Sequence, residues 1–192
     1  IILSKAKIEK IKLSRLYISI GLILVLLSLV FVYFQFLKKK KAYNLLYKKS
    51  IEAVKQEKKN NECRISLARK QPDINKQSKL YNDVIELIEH KKVHHQKGLT
   101  LEELAKTLTT NREYLSQIIN EQHGRFNDFI NHYRINDTVE ILSNPKNFKS
   151  SYSLEVIADE VGFNSLSTFI SAFKKETGLT PSKFRDNRKN CN

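Results

Sequence analysis

The run from Leu16 to Leu37, LYISIGLILVLLSLVFVYFQFL, holds 22 residues without a charge, and 16 of them are Leu, Ile, Val or Phe. As a helix rising about 1.5 Å per residue it is roughly 33 Å long, enough to cross a hydrocarbon core of about 30 Å. Each of the large apolar side chains favours insertion by up to about 0.3–0.6 kcal/mol, which together outweigh Ser19, Ser28 and Gln35. Tyr17 and Tyr33 stand toward the two ends, where amphipathic rings prefer the interface. A buried core helix would carry polar residues along one face. A cleaved signal peptide would be shorter and end in small residues, whereas this run ends in YFQFLKKKK. The sequence therefore predicts a single transmembrane helix over residues 16–37.

Around that run the charge is unevenly divided. The chain of 192 residues has a formal net charge of +14, yet residues 81–192 hold fifteen bases and fifteen acids. The excess sits in residues 1–15, net +4, and residues 38–80, net +10. The basic pI is thus no argument for nucleic-acid binding by the C-terminal part, which has to rest on motifs. The four lysines Lys38 to Lys41 abut the apolar run and orient the C-terminal side toward the cytoplasm. Five Gly and three Pro are too few for a turn-rich β-sandwich, so the fold class expected is all-α. Cys63 and Cys191 build neither a disulfide framework nor a zinc site. The first residue is Ile1 and the chain has no Met, so residues 1–15 are read as the end of an N-terminal region that continues upstream.

Beyond the lysines, Tyr43, Leu46, Tyr47, Ile51 and Val54 recur at helical steps and predict a basic amphipathic helix next to the membrane. From about Lys55 to Lys79 the sequence is polar, basic and interrupted by Pro72, and it reads as a flexible linker. Residues 38–80 are thus a juxtamembrane helix and linker, residues 81–187 a domain and 188–192 a tail.

The domain reads as helices throughout. Val84, Leu87 and Ile88 form a first apolar stripe. Thr100 and Glu103 form a capping box ahead of Leu101, Leu104, Ala105 and Leu108. A second box, Thr110 with Glu113, precedes Leu115, Ile118 and Ile119, so residues 100–120 make a helix-turn-helix unit. A bridging helix over 126–142 carries Phe129, Ile130, Tyr133 and Ile141 inward. A second unit follows over 153–177. Leu154, Ile157, Ala158 and Val161 face inward, Gly162 supplies positive φ, Phe163 plugs the turn, and Asn164 or Ser165 caps a helix bearing Phe169 and Phe173. Thr180-Pro181 starts a last helix with Phe184.

The segments LTLEELAKTLTTNREYLSQIINEQHG, FNDFINHYRI and IADEVGFNSLSTFISAFKKETGLTPSKFR resemble the DNA-binding domain of AraC/XylS-type transcription regulators. The order of membrane helix, basic connector and domain resembles the membrane-anchored variety, whose N-terminal part is a periplasmic tetratricopeptide-repeat sensor. The resemblance implies that the second helix of each unit turns its solvent face to base edges in the major groove. In the first unit that face holds Arg112, Glu113, Ser116, Gln117 and Asn120; in the second it holds Ser165, Leu166, Ser167, Ile170, Ser171 and Lys174. Gln117 and Asn120 suit adenine edges, Arg112 guanine or phosphate, and Glu113 a cytosine amino group. Ser171 stands where the family often has arginine, so the first unit is expected to carry most of the hydrogen-bonded specificity. Lys174, Lys175, Lys183 and Arg185 are expected at phosphates.

Thr138 stands where the family usually has alanine, and Arg134 is read as a partner of a carboxylate rather than a base reader. His90, His94 and His95 place two histidines four apart on a helix, which can hold a metal, but no third ligand or HExxH arrangement is evident, and neither a metal nor a cofactor is assigned. No Ser-His-Asp order, glycine-rich phosphate loop or Cys-His pair supports an enzyme. The partners expected are double-stranded promoter DNA, the bacterial inner membrane, a second copy of the chain and RNA polymerase. The alternative is a membrane-anchored helical adaptor whose helix-turn-helix units bind a protein, a reading favoured by the neutral charge of the domain.

Overall fold

The computed structural model describes residues 2–70, 76–144 and 146–189, and every described element is helical. Helix α1 runs Ile2–Lys70, α2 Lys76–Glu89, α3 Leu101–Thr107, α4 Arg112–His123, α5 Phe126–Ser143, α6 Leu154–Glu160, α7 Leu166–Thr177 and α8 Pro181–Lys189. Short 3₁₀ turns occupy Val93–His95 and Phe148–Ser151. The chain divides into two units, one ending at Tyr43 and one beginning at Asn44.

The first unit is helix alone. Its large apolar side chains between Leu16 and Phe36 are 45–67% exposed among the described residues. This helix is long and apolar enough to cross a membrane. Ser19 and Ser28 donate their hydroxyls to the carbonyls of Leu16 (2.8 Å) and Val25 (2.7 Å), which lowers the cost of placing them in an apolar medium.

In the second unit the structure departs from the linker expected over Lys55–Lys79. The chain remains α-helical through Lys70, and Pro72 lies outside the described residues. The reason is a stripe that continues past Val54: Tyr47, Val54, Asn61 and Ile65 are all buried, at steps of seven, seven and four that keep them on one helix face. Tyr47 packs against Phe184 (ring centroids 4.6 Å), Leu46 lies 3.4 Å from where a Cβ on Gly178 would stand, and Ile65 joins the core cluster of α2, α4 and α5. Asn61 donates to Glu89 (2.9 Å) and, at the edge of hydrogen-bond range, to the Tyr133 hydroxyl (3.4 Å). The basic segment is a strut on the domain.

One core cluster gathers Val84, Ile85 and Ile88 of α2 with Leu104, Leu115, Ile118, Ile119, Phe129 and Tyr133. Toward the C-terminus Ile157, Phe163, Phe169, Phe173, Leu179 and Phe184 are buried, with Phe163–Phe169 and Phe173–Phe184 rings edge-on at 5.4 and 5.3 Å. Helix α5 bridges the two, as the apolar spacing requires, except that Ile141, expected inward, is only half-buried. Its place is taken by Leu142, which is fully buried.

Candidate nucleic-acid interface

Helix α3 opens with the expected box: Thr100 Oγ1 accepts from the Glu103 amide (3.2 Å) and the Thr100 amide donates back to Glu103 Oε2 (2.9 Å). The box expected at Thr110 is not the one used. Asn111 caps α4, its Oδ1 accepting from the Tyr114 amide at 2.7 Å, because the turn spends one more residue before the helix begins. Leu115, Ile118 and Ile119 hold α4 against the core. Its opposite face leaves Arg112, Glu113, Gln117 and Asn120 exposed, with Ser116 half-buried. These five residues and Glu121 line one shallow concavity. Gln117 donates to Glu121 (3.2 Å) and Asn120 to Ser116 Oγ (3.3 Å), contacts light enough to exchange for base edges.

The second unit repeats the geometry. Ser153 caps α6 and Ser165 caps α7, each through the amide three residues on. The turn amides repeat too: Thr110 donates to the Ala105 carbonyl (3.0 Å) and Phe163 to that of Ala158 (2.8 Å). This pairing puts Thr109 in the place of Gly162, and both have positive φ, 52° and 93°. Phe169 and Phe173 face the core, while Ser165, Ser167, Ser171 and Lys174 are exposed and Leu166 and Ile170 half-buried.

The residues expected at phosphates separate. Lys174 and Lys183 are exposed; Lys175 is exposed but paired with Asp128 of α5 (2.8 Å). Arg185 is half-buried: its Nε and Nη2 are buried without a hydrogen bond among the described residues, and burial pushes its pKa down, so it is less open to a phosphate than Lys174 or Lys183.

Residues 104–187 match the family model described as a helix-turn-helix domain. Over 100 residues the chain is 29% identical to the HTH-type transcriptional regulator YtdP of Bacillus subtilis, covering 50% of this chain and 12% of that one. Over 96 residues it is 33% identical to the Msm operon regulatory protein of Streptococcus mutans, covering 48% and 33%. The match thus spans a third or less of these curated relatives. The C-terminal domain of AraT, a response regulator from Geobacillus stearothermophilus, is 27% identical with a TM-score of 0.49, covering 58% of this chain and 88% of that one.

The domain has polar groups on α5 that the sequence did not resolve. Among the described residues Arg134 meets no carboxylate. Its Nε donates to the His94 carbonyl (2.6 Å) and Nη2 to that of Gln96 (2.9 Å), and its guanidinium lies 5.4 Å over the Phe163 ring. The fully buried Thr138 is satisfied by donating to the Arg134 carbonyl at 2.8 Å. His132 sits between Glu57 of α1 (2.8 Å) and Glu176 of α7 (3.3 Å), and Asn136 also donates to Glu57 (2.8 Å). Burial favours the neutral imidazole, but the carboxylates of Glu176 and Glu57 outweigh it and hold the His132 pKa up at about 9. Lys58 of α1 pairs with Glu140 of α5. Asp137, on the same helix, accepts from His94, His95 and Lys92; burial alone would raise its pKa, yet these donors hold it well below the carboxylate range. Sequence reasoning missed Glu57, Lys58 and Asn61. The seven-residue step from Tyr47 through Val54 to Asn61 was the available signal.

Proposed function

We propose that this chain is a sequence-specific, DNA-binding transcription regulator, tethered to the bacterial inner membrane by residues 16–37, with its AraC-type domain in the cytoplasm and its activity set by a signal. One observation carries the reading: both helix-turn-helix units leave the outer face of their second helix polar and open, at Arg112, Gln117 and Asn120 on α4 and at Ser167, Ser171 and Lys174 on α7. In this reading Gln117 and Asn120 take adenine edges, Arg112 guanine or phosphate, Glu113 a cytosine amino group, and Leu166 and Ile170 thymine methyls. Ser116 and Ser165 add hydroxyls at the edges of these faces. Lys174, Lys175 and Lys183 approach phosphates, Lys175 after leaving Asp128.

Helix α5 is about 27 Å long, shorter than the 34 Å between successive major grooves on one side of B-DNA. Two readers so spaced engage one face of the duplex by bending it. Acids balance bases across the domain, so non-specific affinity is modest, and tethering or pairing of copies supplies effective concentration. RNA polymerase and a second copy are the protein partners the reading admits. The signal route is α1: Glu57 and Lys58 grip α5, and His132 passes the grip on to Glu176 of α7.

Gel shifts with the full chain in detergent micelles, on a sequence selected from random duplexes, test the reading. Specific binding is expected, and Gln117→Ala is expected to remove most of it with helix content unchanged; full retention removes the assigned role. Glu57→Ala, far from any base, is expected to change operator affinity several-fold, and an unchanged affinity counts against transmission through α1. The adaptor reading is favoured only by the charge balance of residues 81–192. Binding through several phosphates weakens steeply with salt, whereas an adaptor gives no such slope on DNA.

A further inference from the structure

We propose that His94, His95 and Asp137 form a site for one divalent ion of the zinc class. The 3₁₀ turn Val93–His95 presents two consecutive imidazoles, edge to face with centroids 4.5 Å apart, so that both aim Nε2 at one place. That place is a single oxygen of α5: Asp137 Oδ2 lies 2.9 Å from His94 Nε2 and 2.8 Å from His95 Nε2. All three ligand atoms lie within 4.8 Å of one another. Two imidazoles and one carboxylate, with water in the fourth position, are a donor set that zinc and its neighbours accept. A tetrahedral ion about 2.0–2.1 Å from each ligand needs ligand atoms about 3.3 Å apart, so each nitrogen retreats from Asp137 Oδ2 by about half an ångström and the two nitrogens settle at that same spacing from each other.

The electrostatics admit a cation despite two lysines nearby. Lys92 (2.9 Å) and Lys58 (3.7 Å) hold the other carboxylate oxygen, Oδ1, and leave Oδ2 to the histidines. Each lysine has its own acid as well, Glu89 at 4.0 Å from Lys92 and Glu140 on Lys58. Three carboxylates stand against these two ammonium groups and the Arg134 guanidinium on the His94 carbonyl, so the cluster carries no net positive charge, and neutral histidines add none. Access is provided by an open cavity of about 490 Å³ in whose wall His95 and Asp137 stand, with the His95 side chain 32% exposed. His94 is fully buried and forms the closed wall.

The position gives the ion a structural consequence. The turn that would hold it also receives Arg134 on the His94 and Gln96 carbonyls, and the His95 carbonyl lies against Gly162 in the turn of the second unit. A bound ion therefore fastens the segment leading into the first reading unit onto the bridging helix, beside the second.

Cobalt(II) titration of the tag-free full chain in micelles, carried in a Cys63→Ser, Cys191→Ser background so that no thiolate contributes, tests the site. The expected result is one cobalt per chain with the visible bands of tetrahedral geometry, displaced by zinc. Saturating zinc is expected to raise Tm by about 5 °C or more, reversed by chelator. His95→Ala is expected to weaken binding more than about 100-fold with helix content retained. Should His95→Ala misfold, His95→Gln preserves a hydrogen bond to Asp137 while removing the imidazole and serves in its place. No saturable one-to-one binding, or binding undiminished in the folded His95 variant, overturns the proposal. Neither outcome bears on DNA reading, which is measured separately.

Discussion

The two helix-turn-helix units share a backbone and differ in what they put on it. The first has a β-branched Thr109 at the positive-φ position of its turn and a polar outer face on α4; the second has Gly162 there and a face of serines around Leu166 and Ile170. Geometry explains the first difference. A Cβ on Gly162 would stand 2.5 Å from the His95 carbonyl oxygen, whereas Thr109 is exposed. The glycine of the second turn is therefore demanded twice, by φ and by close approach, and the first turn tolerates a strained threonine because nothing presses on it.

The largest effect follows from that contrast. Gly162→Ala forces backbone against backbone and is expected to lower stability by about 3 kcal/mol or more, read as a loss of unfolding free energy in denaturant. The outer faces give the next. Gln117→Ala on α4 is expected to weaken operator binding by about 1–3 kcal/mol, and Ser171→Ala on α7 by less than about 0.5 kcal/mol. Equal losses would mean that both units read bases through hydrogen bonds alike.

His132 ties α7 to α1 through Glu176 and Glu57, with the His123 ring at the end of α4 6.2 Å away, and its charge gives this junction a pH dependence. Its folded pKa of about 9 lies above its ordinary 6.5. It therefore stabilises fully below about pH 6.5, by something on the order of 1–3 kcal/mol, and that stability fades as pH rises through about 9. His132→Gln is expected to flatten the unfolding free energy between pH 7 and 9.5. Its partners act at the other end: the pKa values of Glu57 and Glu176 are lowered, so their contribution holds above the ordinary carboxylate range and is lost in acid. The smallest expected effect is a gain. Thr109→Gly should relieve strain and raise stability by up to about 1 kcal/mol, and a loss there would show that the threonine side chain has a contact of value.

How much of this the sequence carried depended on distance along the chain. Leu115, Ile118, Phe129, Tyr133, Phe163, Phe169 and Phe173 were legible as core because apolar periodicity is local, and so was the box at Thr100. The cap of α4 was misplaced by one residue because Thr110 and Asn111 both offer a capping oxygen, and only the turn length decides between them. Arg134 finds its acceptors 38 and 40 residues away on backbone carbonyls, which leave no mark in side-chain identity. Asp137 is equally remote from His94 and His95. The strut was hidden by composition: charged and amide side chains dominate Lys55–Lys70, while one buried residue every four to seven positions suffices to dock a helix whose charged residues find partners on α5.

The most direct test of the account is selection of binding sites from a randomised duplex library by the full chain in micelles, followed by footprinting of the enriched sequence. Two short motifs about one helical turn apart, protected on one face, with the motif assigned to α4 relaxed by Gln117→Ala, are the result expected. A library that stays random after repeated selection, or an enriched site indifferent to both Gln117→Ala and Lys174→Ala, would contradict it.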